Sequence, residues 1–192
     1  MEENKNEYLH WKEIDRKILA DCHIFKVVSA LREDPYGSRV DRFLLDAPDW
    51  VTVIPIVESD EGEKCLMVKQ YRHGSSSVTR EFPAGTVDPG EKPEDAMHRE
   101  LLEETGYTAG EMVLLGAVNP NSAFMNNTQY IYAARDLKKV GGQDLDEHEE
   151  VEFELLLLSE VLEKMGRGDF SNGTMMTALG FFMRWRSADG EK

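Results

Sequence analysis

Gly85-Thr-Val-Asp-Pro-Gly-Glu-Lys-Pro-Glu-Asp-Ala-Met-His-Arg-Glu-Leu-Leu-Glu-Glu-Thr-Gly-Tyr107 begins as a glycine-punctuated loop and ends as a short helix. Pro93 stands where a first-turn residue needs no N–H, and Gly106 where a left-handed cap closes the last turn. The spacing therefore predicts a helix over 93–105. On a 3.6-residue period Glu100, Glu103 and Glu104 fall at i, i+3 and i+4 and share one face. Three neighbouring carboxylates repel one another unless cations offset their charge. Hard oxygen ligands of this kind suit Mg²⁺ or Mn²⁺ rather than zinc. The competing reading is a solvated acidic face, an ordinary thing in a chain with 37 Asp and Glu residues.

The wider spacing separates the two readings. Gly85 is followed after five residues by Glu91, and after seven more by Arg99-Glu100. An aliphatic residue, one unconstrained position, Glu103-Glu104, another unconstrained position, Gly106 and the hydrophobic Tyr107 complete the pattern. In an acidic composition like this one, seven such specified positions coincide by chance in roughly one window in 10⁷. The pattern resembles the complete Nudix box, and the sequence is similar to the Nudix hydrolase family.

At 192 residues the chain is long enough for one substantial domain with a real core. We expect an N-terminal tail and β-hairpin extension over residues 1–47 and a main domain over 48–192. A net charge of −15 and the lack of a basic stripe argue against nucleic-acid partners. The polar, acidic N-terminus carries no signal-peptide pattern. With only Cys22 and Cys65 as thiols, a reducing cytoplasmic setting follows, both cysteines serving as small buried hydrophobes. No apolar run approaches the roughly 20 residues needed to cross a bilayer, so no membrane partner is expected.

Residues 1–21 read as tail and irregular lead-in. His23–Leu31 and Ser38–Leu45 are rich in β-branched and aromatic residues, and Asp34-Pro35-Tyr36-Gly37 between them is turn chemistry, so a hairpin is expected. Such a hairpin cannot bury both faces alone and must dock on the main domain or on a second copy of the chain. Trp50–Val57 and Cys65–Tyr71 read as core strands, with Pro55 suggesting an edge or bulge. Further strands are expected over 112–118, 128–134 and 151–158. Ser159 is the expected N-cap of a helix stopping at Gly166, and a last helix over 174–186 carries Met176, Leu179, Phe182 and Met183 along one face. The fold class expected is α+β, an α/β/α sandwich with a mixed central sheet. The five histidines show no ligand spacing, and the nine methionines read as core filler.

The family resemblance implies specific roles. By position, Glu100 and Glu104 match principal metal ligands, Glu103 an additional ligand or water-holder, and the Ala84 carbonyl a further ligand. Glu91 and Arg99 match the pair that braces loop against helix. Gln70-Tyr71-Arg72, Glu81-Phe82-Pro83-Ala84-Gly85 and Pro120, sixteen residues after Glu104, are similar to the ADP-ribose pyrophosphatase, or nucleoside diphosphate sugar hydrolase, branch. In that branch a late-loop glutamate is the general base, and Glu147 and Glu149 are both matching positions. The expected substrate contacts are Arg72, whose planar fork suits phosphoryl oxygens, Arg80, Glu81 and Phe124. The loop Asn121–Asn127 departs from the branch's Gly-containing loop. Phe124 could stack there while the asparagines hydrogen-bond sugar hydroxyls.

What the resemblance implies is Mg²⁺-dependent hydrolysis of the diphosphate bond of ADP-ribose or a related nucleotide sugar, by a homodimer built through the N-terminal hairpin. The alternatives are a Nudix-fold sensor that binds a nucleotide metabolite without turnover, and an enzyme acting on another capped or dinucleotide substrate. The intact box glutamates weigh against the sensor, and the missing basic surface against RNA-cap removal.

Overall fold

A computed structural model describes residues 6–145, 147 and 150–189, which divide into two compact units. The first comprises the N-terminal segment to Pro48 together with Asn119–Asn127. After a 3₁₀ turn at Glu7–Leu9, it contains a three-stranded antiparallel sheet of β1 (Lys12–Asp21), β2 (Lys26–Glu33) and β3 (Arg39–Asp46), in that order. The turn between β2 and β3 forms because Asp34 Oδ1 accepts the N–H groups of Tyr36 (2.9 Å) and Ser38 (2.8 Å) while Gly37 takes φ 87°.

Residues 12–21 are thus a strand, not irregular lead-in, and the expected hairpin is two strands of a three-stranded sheet. Register shifts between Glu13 and Asp15 and between Ile18 and Ala20 break the period-2 alternation by which a strand is recognised in sequence. Asn119–Asn127 joins this unit through backbone and amide bonds. The Leu45 N–H donates to the Phe124 carbonyl at 2.7 Å, Asn126 Nδ2 to Asp46 Oδ1 at 2.5 Å and Asn127 Nδ2 to the Pro48 carbonyl at 3.1 Å.

The second unit is built on a mixed seven-stranded sheet. Its elements are β4 (Trp50–Val57), β5 (Lys64–Arg72), β6 (Ser77–Glu81), β7 (Ala84–Thr86), α1 (Pro93–Thr105), β8 (Tyr107–Thr108), β9 (Glu111–Val118), β10 (Gln129–Arg135), β11 (Lys138–Lys139), β12 (Val151–Leu157), α2 (Leu158–Lys164) and α3 (Gly173–Asp189). The sheet order is β12-β5-β4-β10-β9, with β6 added to β5 and β7 to β4; β8 and β11 pair separately. Only β4 and β10 run parallel.

Both faces of the sheet are covered, which explains the near-continuous apolar run in β4. Val51 and Val53 pack with Ala96, Met97 and Leu101 of α1 and with Tyr132 and Ala134. Ile54 and Ile56 pack on the other face with Val161 of α2 and Met175, Ala178, Leu179 and Phe182 of α3. The α+β class follows from this layering of helices on a mixed sheet.

Four local expectations are corrected. Pro55 is neither at an edge nor in a bulge: it pairs with Ala134 inside the sheet. It is tolerated because β7 pairs β4 only at 50–52 and β5 only at 56–57. The Val53 N–H leaves on that side, toward the Pro83 carbonyl at 3.0 Å, so the N–H that Pro55 lacks would point into the same gap. Ser159 is not a cap; α2 starts at Leu158, whose N–H is met by the Glu63 carbonyl at 2.9 Å. The buried face of α3 is phased on Met175 rather than Met176, and Met183 is exposed. Cys65 is buried, but Cys22 is exposed.

Candidate active site

Helix α1 positions three of the acidic side chains by its ends and its phase. Pro93 sits in its first turn, and Gly106 closes it at φ 73° with its N–H on the Leu102 carbonyl. Ala96, Met97 and Leu101 fix one flank on the sheet, which carries Glu104 inward as well. Its carboxylate is 2% exposed and accepts the Ala84 N–H at Oε2, 3.1 Å away. Ala84 is brought there by β7, which pairs antiparallel with β4 through Thr52↔Ala84 and Val51↔Gly85.

Gly85 is required by a close approach. A β-carbon there would lie 2.0 Å from Cδ of Glu100 and 2.1 and 2.3 Å from its two oxygens. The box glycine is therefore the floor on which the Glu100 carboxylate rests.

Arg99 knits the loop to the helix. Its Nε and Nη2 donate to the two oxygens of Glu91 at 3.1 and 3.0 Å, and Nη2 also to the Thr86 carbonyl at 2.9 Å. Its Nη1 donates to Glu100 Oε1 at 2.8 Å and Glu103 Oε2 at 3.1 Å. These bonds, that to Glu91 foremost, raise the guanidinium's proton affinity, and Arg99 in turn holds the Glu91 carboxyl below the usual carboxylate range.

A second constellation lies on the β5–β6 hairpin. The register Gln70↔Thr79 and Arg72↔Ser77 puts Arg72, Thr79 and Glu81 on one face. Arg72 Nε and Nη2 grip the two oxygens of Glu81 at 2.9 and 2.6 Å, and Thr79 Oγ1 donates to Oε1 at 2.5 Å. Glu81 is 2% exposed. Burial pushes its carboxyl up, but the Arg72 bonds, with Thr79 and Asn172, outweigh that and hold it below the ordinary value.

Arg80 points the other way along the strand. Its Nε donates to Glu154 Oε1 at 2.5 Å, its Nη1 pairs with Asp169, and its backbone N–H bonds the Asp169 carbonyl at 2.7 Å. The structure thus groups Arg72 with Glu81 and sets Arg80 in a separate ion-pair network. Phe124 belongs to the first unit, where Asn119, Asn126 and Asn127 spend their amides on Met125, Asp46 and Pro48. Glu147 lies exposed in a turn, and Glu149 falls outside the described residues. Thr79 and Asn172, which support Glu81, sit in no motif, and the single apolar residue of Ser-Val-Thr-Arg-Glu leaves β6 without a period-2 pattern by which the sequence could show it.

The donor set fits a hard divalent cation. Glu100, Glu103 and Glu104 offer carboxylate oxygens from one helical face, and the Ala84 backbone lies against Glu104. As placed, Arg99 joins Glu100 to Glu103, and among the described residues no three acidic, histidine or cysteine side chains form a ready ligand cluster. No helix among the described residues is long and apolar enough to cross a membrane.

Residues 48–177 match the NUDIX domain model. The chain is 34% identical over 158 residues to an ADP-ribose pyrophosphatase of Bacillus subtilis, covering 79% of this chain and 84% of that protein. It is 36% identical over 132 residues to a methanol dehydrogenase activator of Bacillus methanolicus, covering 68% of this chain and 70% of the relative. The crystal structure of an ADP compounds hydrolase superposes with a TM-score of 0.80 at 24% identity, covering 95% of this chain and 97% of that one. With a complete box, its glutamates set on a loop–helix scaffold and a family match over most of its length, the chain belongs to the Nudix family.

Proposed function

We propose that this protein is a Nudix pyrophosphatase that hydrolyses the diphosphate bond of ADP-ribose or a related nucleoside diphosphate sugar, using Mg²⁺, to a nucleoside monophosphate and a sugar phosphate. The observation that carries the reading is the seating of two box carboxylates, Glu100 over Gly85 and Glu104 on the Ala84 N–H. The B. subtilis relative bears the name of this activity.

Glu100, Glu103, Glu104 and the Ala84 carbonyl would hold the cation, with Mn²⁺ the other ion that suits the same oxygens. Bound there, a divalent ion supplies an acidified water and neutralises charge on the phosphoryl oxygens. The remaining work falls to the chain. Arg99 keeps Glu100 and Glu103 at the loop and offsets their mutual repulsion. Glu147 or Glu149 accepts the proton of the attacking water. The water oxygen bonds to one phosphorus as the bridging P–O bond breaks, and the electron pair leaves on the other phosphate.

Arg72, oriented by Glu81, donates to a phosphoryl oxygen and stabilises charge developing there. Arg80, held by Glu154 and Asp169, is assigned only a supporting electrostatic part.

The N-terminal unit is assigned to homodimerisation. Ile18, Leu19 and Phe43 are exposed on its sheet, apolar surface that a second copy of the chain would cover. Two unpaired cysteines support a cytoplasmic setting.

The test is a panel of nucleotide sugars and dinucleotides assayed side by side with Mg²⁺. AMP release from ADP-ribose is expected; binding without turnover of any member of the panel would favour a sensor and sink the enzyme reading.

A further inference from the structure

The last carbonyls of any α-helix lack partners within the helix. At the end of α1 they are taken by the segment that follows β11. The N–H groups of Val140 and Gly141 donate to the Gly106 carbonyl at 2.9 and 3.3 Å, and that of Asp144 to the Glu103 carbonyl at 2.9 Å. The approach is so close that a β-carbon on Gly106 would lie 2.4 Å from the Gly141 oxygen.

Between these backbone contacts one side chain makes two bonds. Gln143 Nε2 donates to the Glu104 carbonyl at 2.7 Å and to the Val151 carbonyl at 2.8 Å. Gln143 immediately precedes the acidic run 144–150, and Val151 is the first residue of β12. A single NH₂ group therefore ties the entrance and the exit of the acidic run to the backbone of Glu104, a box glutamate. Two carbonyl acceptors demand a donor with two hydrogens: a glutamine amide supplies both, a carboxylate neither and an alanine none.

We propose that Gln143 is a positioning residue for the reaction, setting where the carboxylates of the acidic run are offered relative to the box helix. The proposal rests on the reading above that Glu147 or Glu149 accepts the water proton. Among the described residues both hydrogen bonds of the Gln143 side chain go to backbone carbonyls, so it acts on kcat through the run and not on substrate affinity.

The test compares the wild type, Gln143→Ala, Gln143→Glu, the loop variant Glu147→Gln/Glu149→Gln, and that loop variant with Gln143→Ala added, on ADP-ribose with Mg²⁺. Two hydrogen bonds of ordinary net strength, if lost in full, correspond to a loss in kcat of about 5–150-fold for Gln143→Ala, with KM within about twofold. Gln143→Glu, which sets an acceptor against two carbonyls, loses at least as much. On the loop variant, adding Gln143→Ala produces no further loss, because the group it positions is already gone. Amide exchange at 144 and 145 speeds up in Gln143→Ala while α1 is unchanged.

An unchanged kcat in Gln143→Ala overturns the proposal, as does a loss that multiplies in full onto the loop variant. In both cases the loop variant's own deficit shows that the general-base reading still stands. A loop variant with undiminished kcat instead removes the general-base reading and this assignment with it.

Discussion

Gly85 and Glu100 occupy one site in space: the position of a β-carbon on the first is 2.0 Å from the carboxyl carbon of the second. The loop glycine and the helix glutamate, fifteen residues apart, are thus one structural device. The group that would clash is the far end of a flexible side chain, so the helix need not move to relieve it.

Gly85→Ala should therefore fold almost normally while displacing the Glu100 carboxylate. A shift of about 1 Å at such a group costs about 10²-fold in kcat. We expect that loss with a melting temperature within a few degrees of wild type. Steady-state kinetics beside thermal unfolding checks it; a folded variant with undiminished kcat would contradict the placement.

Arg72→Ala leaves the buried Glu81 carboxylate without its bidentate partner. Thr79 and Asn172 stay, but loss of a charge-assisted partner from a buried carboxylate costs about 1–3 kcal/mol, which denaturant titration would register. A drop in kcat/KM of about 10–100-fold is expected as well, from the lost phosphoryl contact. Thr79→Val, which removes one donor and leaves Arg72, should cost about 1 kcal/mol and spare most of the activity.

The pair Glu91–Arg99 makes stability acid-sensitive. Glu91's folded pKa is depressed, so its contribution is complete above the unfolded carboxylate value of about 4.3 and is lost as pH falls through the folded value. Glu91→Gln should lower stability at neutral pH and flatten the decline between about pH 5 and pH 3. Melting temperatures of both proteins across that range provide the comparison; parallel curves would refute the linkage.

The two cysteines should separate by reactivity. Burial pushes the Cys65 thiol up to about 12, so at pH 8 it is both protonated and covered. Cys22 is exposed and should react with a thiol reagent as one equivalent in the native protein. Cys22→Ser should abolish that fast phase, with Cys65 appearing only on denaturation.

How much of this was legible in the sequence depended on the range of the interactions involved. The helix over 93–105 is written locally, in Pro93, Gly106 and the spacing of the glutamates. The apolar run of β4 shows burial on both faces, but the tolerance of Pro55 depends on where two other strands stop pairing. Strand β1 was hidden by its register shifts. Phase along α3 was ambiguous because Met175 and Met176 are adjacent and only packing against Ile54 and Phe170 decides between them. The partner of Arg72 is set by the β5–β6 register, and those of Arg80 include Asp169, which lies far along the chain. The membership of 119–127 in the N-terminal unit is likewise a tertiary fact, carried by the Leu45–Phe124 backbone bond.

If the α1 carboxylates hold the cation for diphosphate hydrolysis, Glu104→Gln is the variant that removes one of them with least disturbance to the fold. The carboxamide oxygen can still accept the Ala84 N–H, so the fold is retained while a charged ligand is lost. With ADP-ribose and saturating Mg²⁺, AMP release should fall by at least about 10³-fold in kcat relative to wild type, as loss of a ligand to a catalytic metal implies. Near-normal AMP release by a folded Glu104→Gln variant would mean that the cation is held elsewhere.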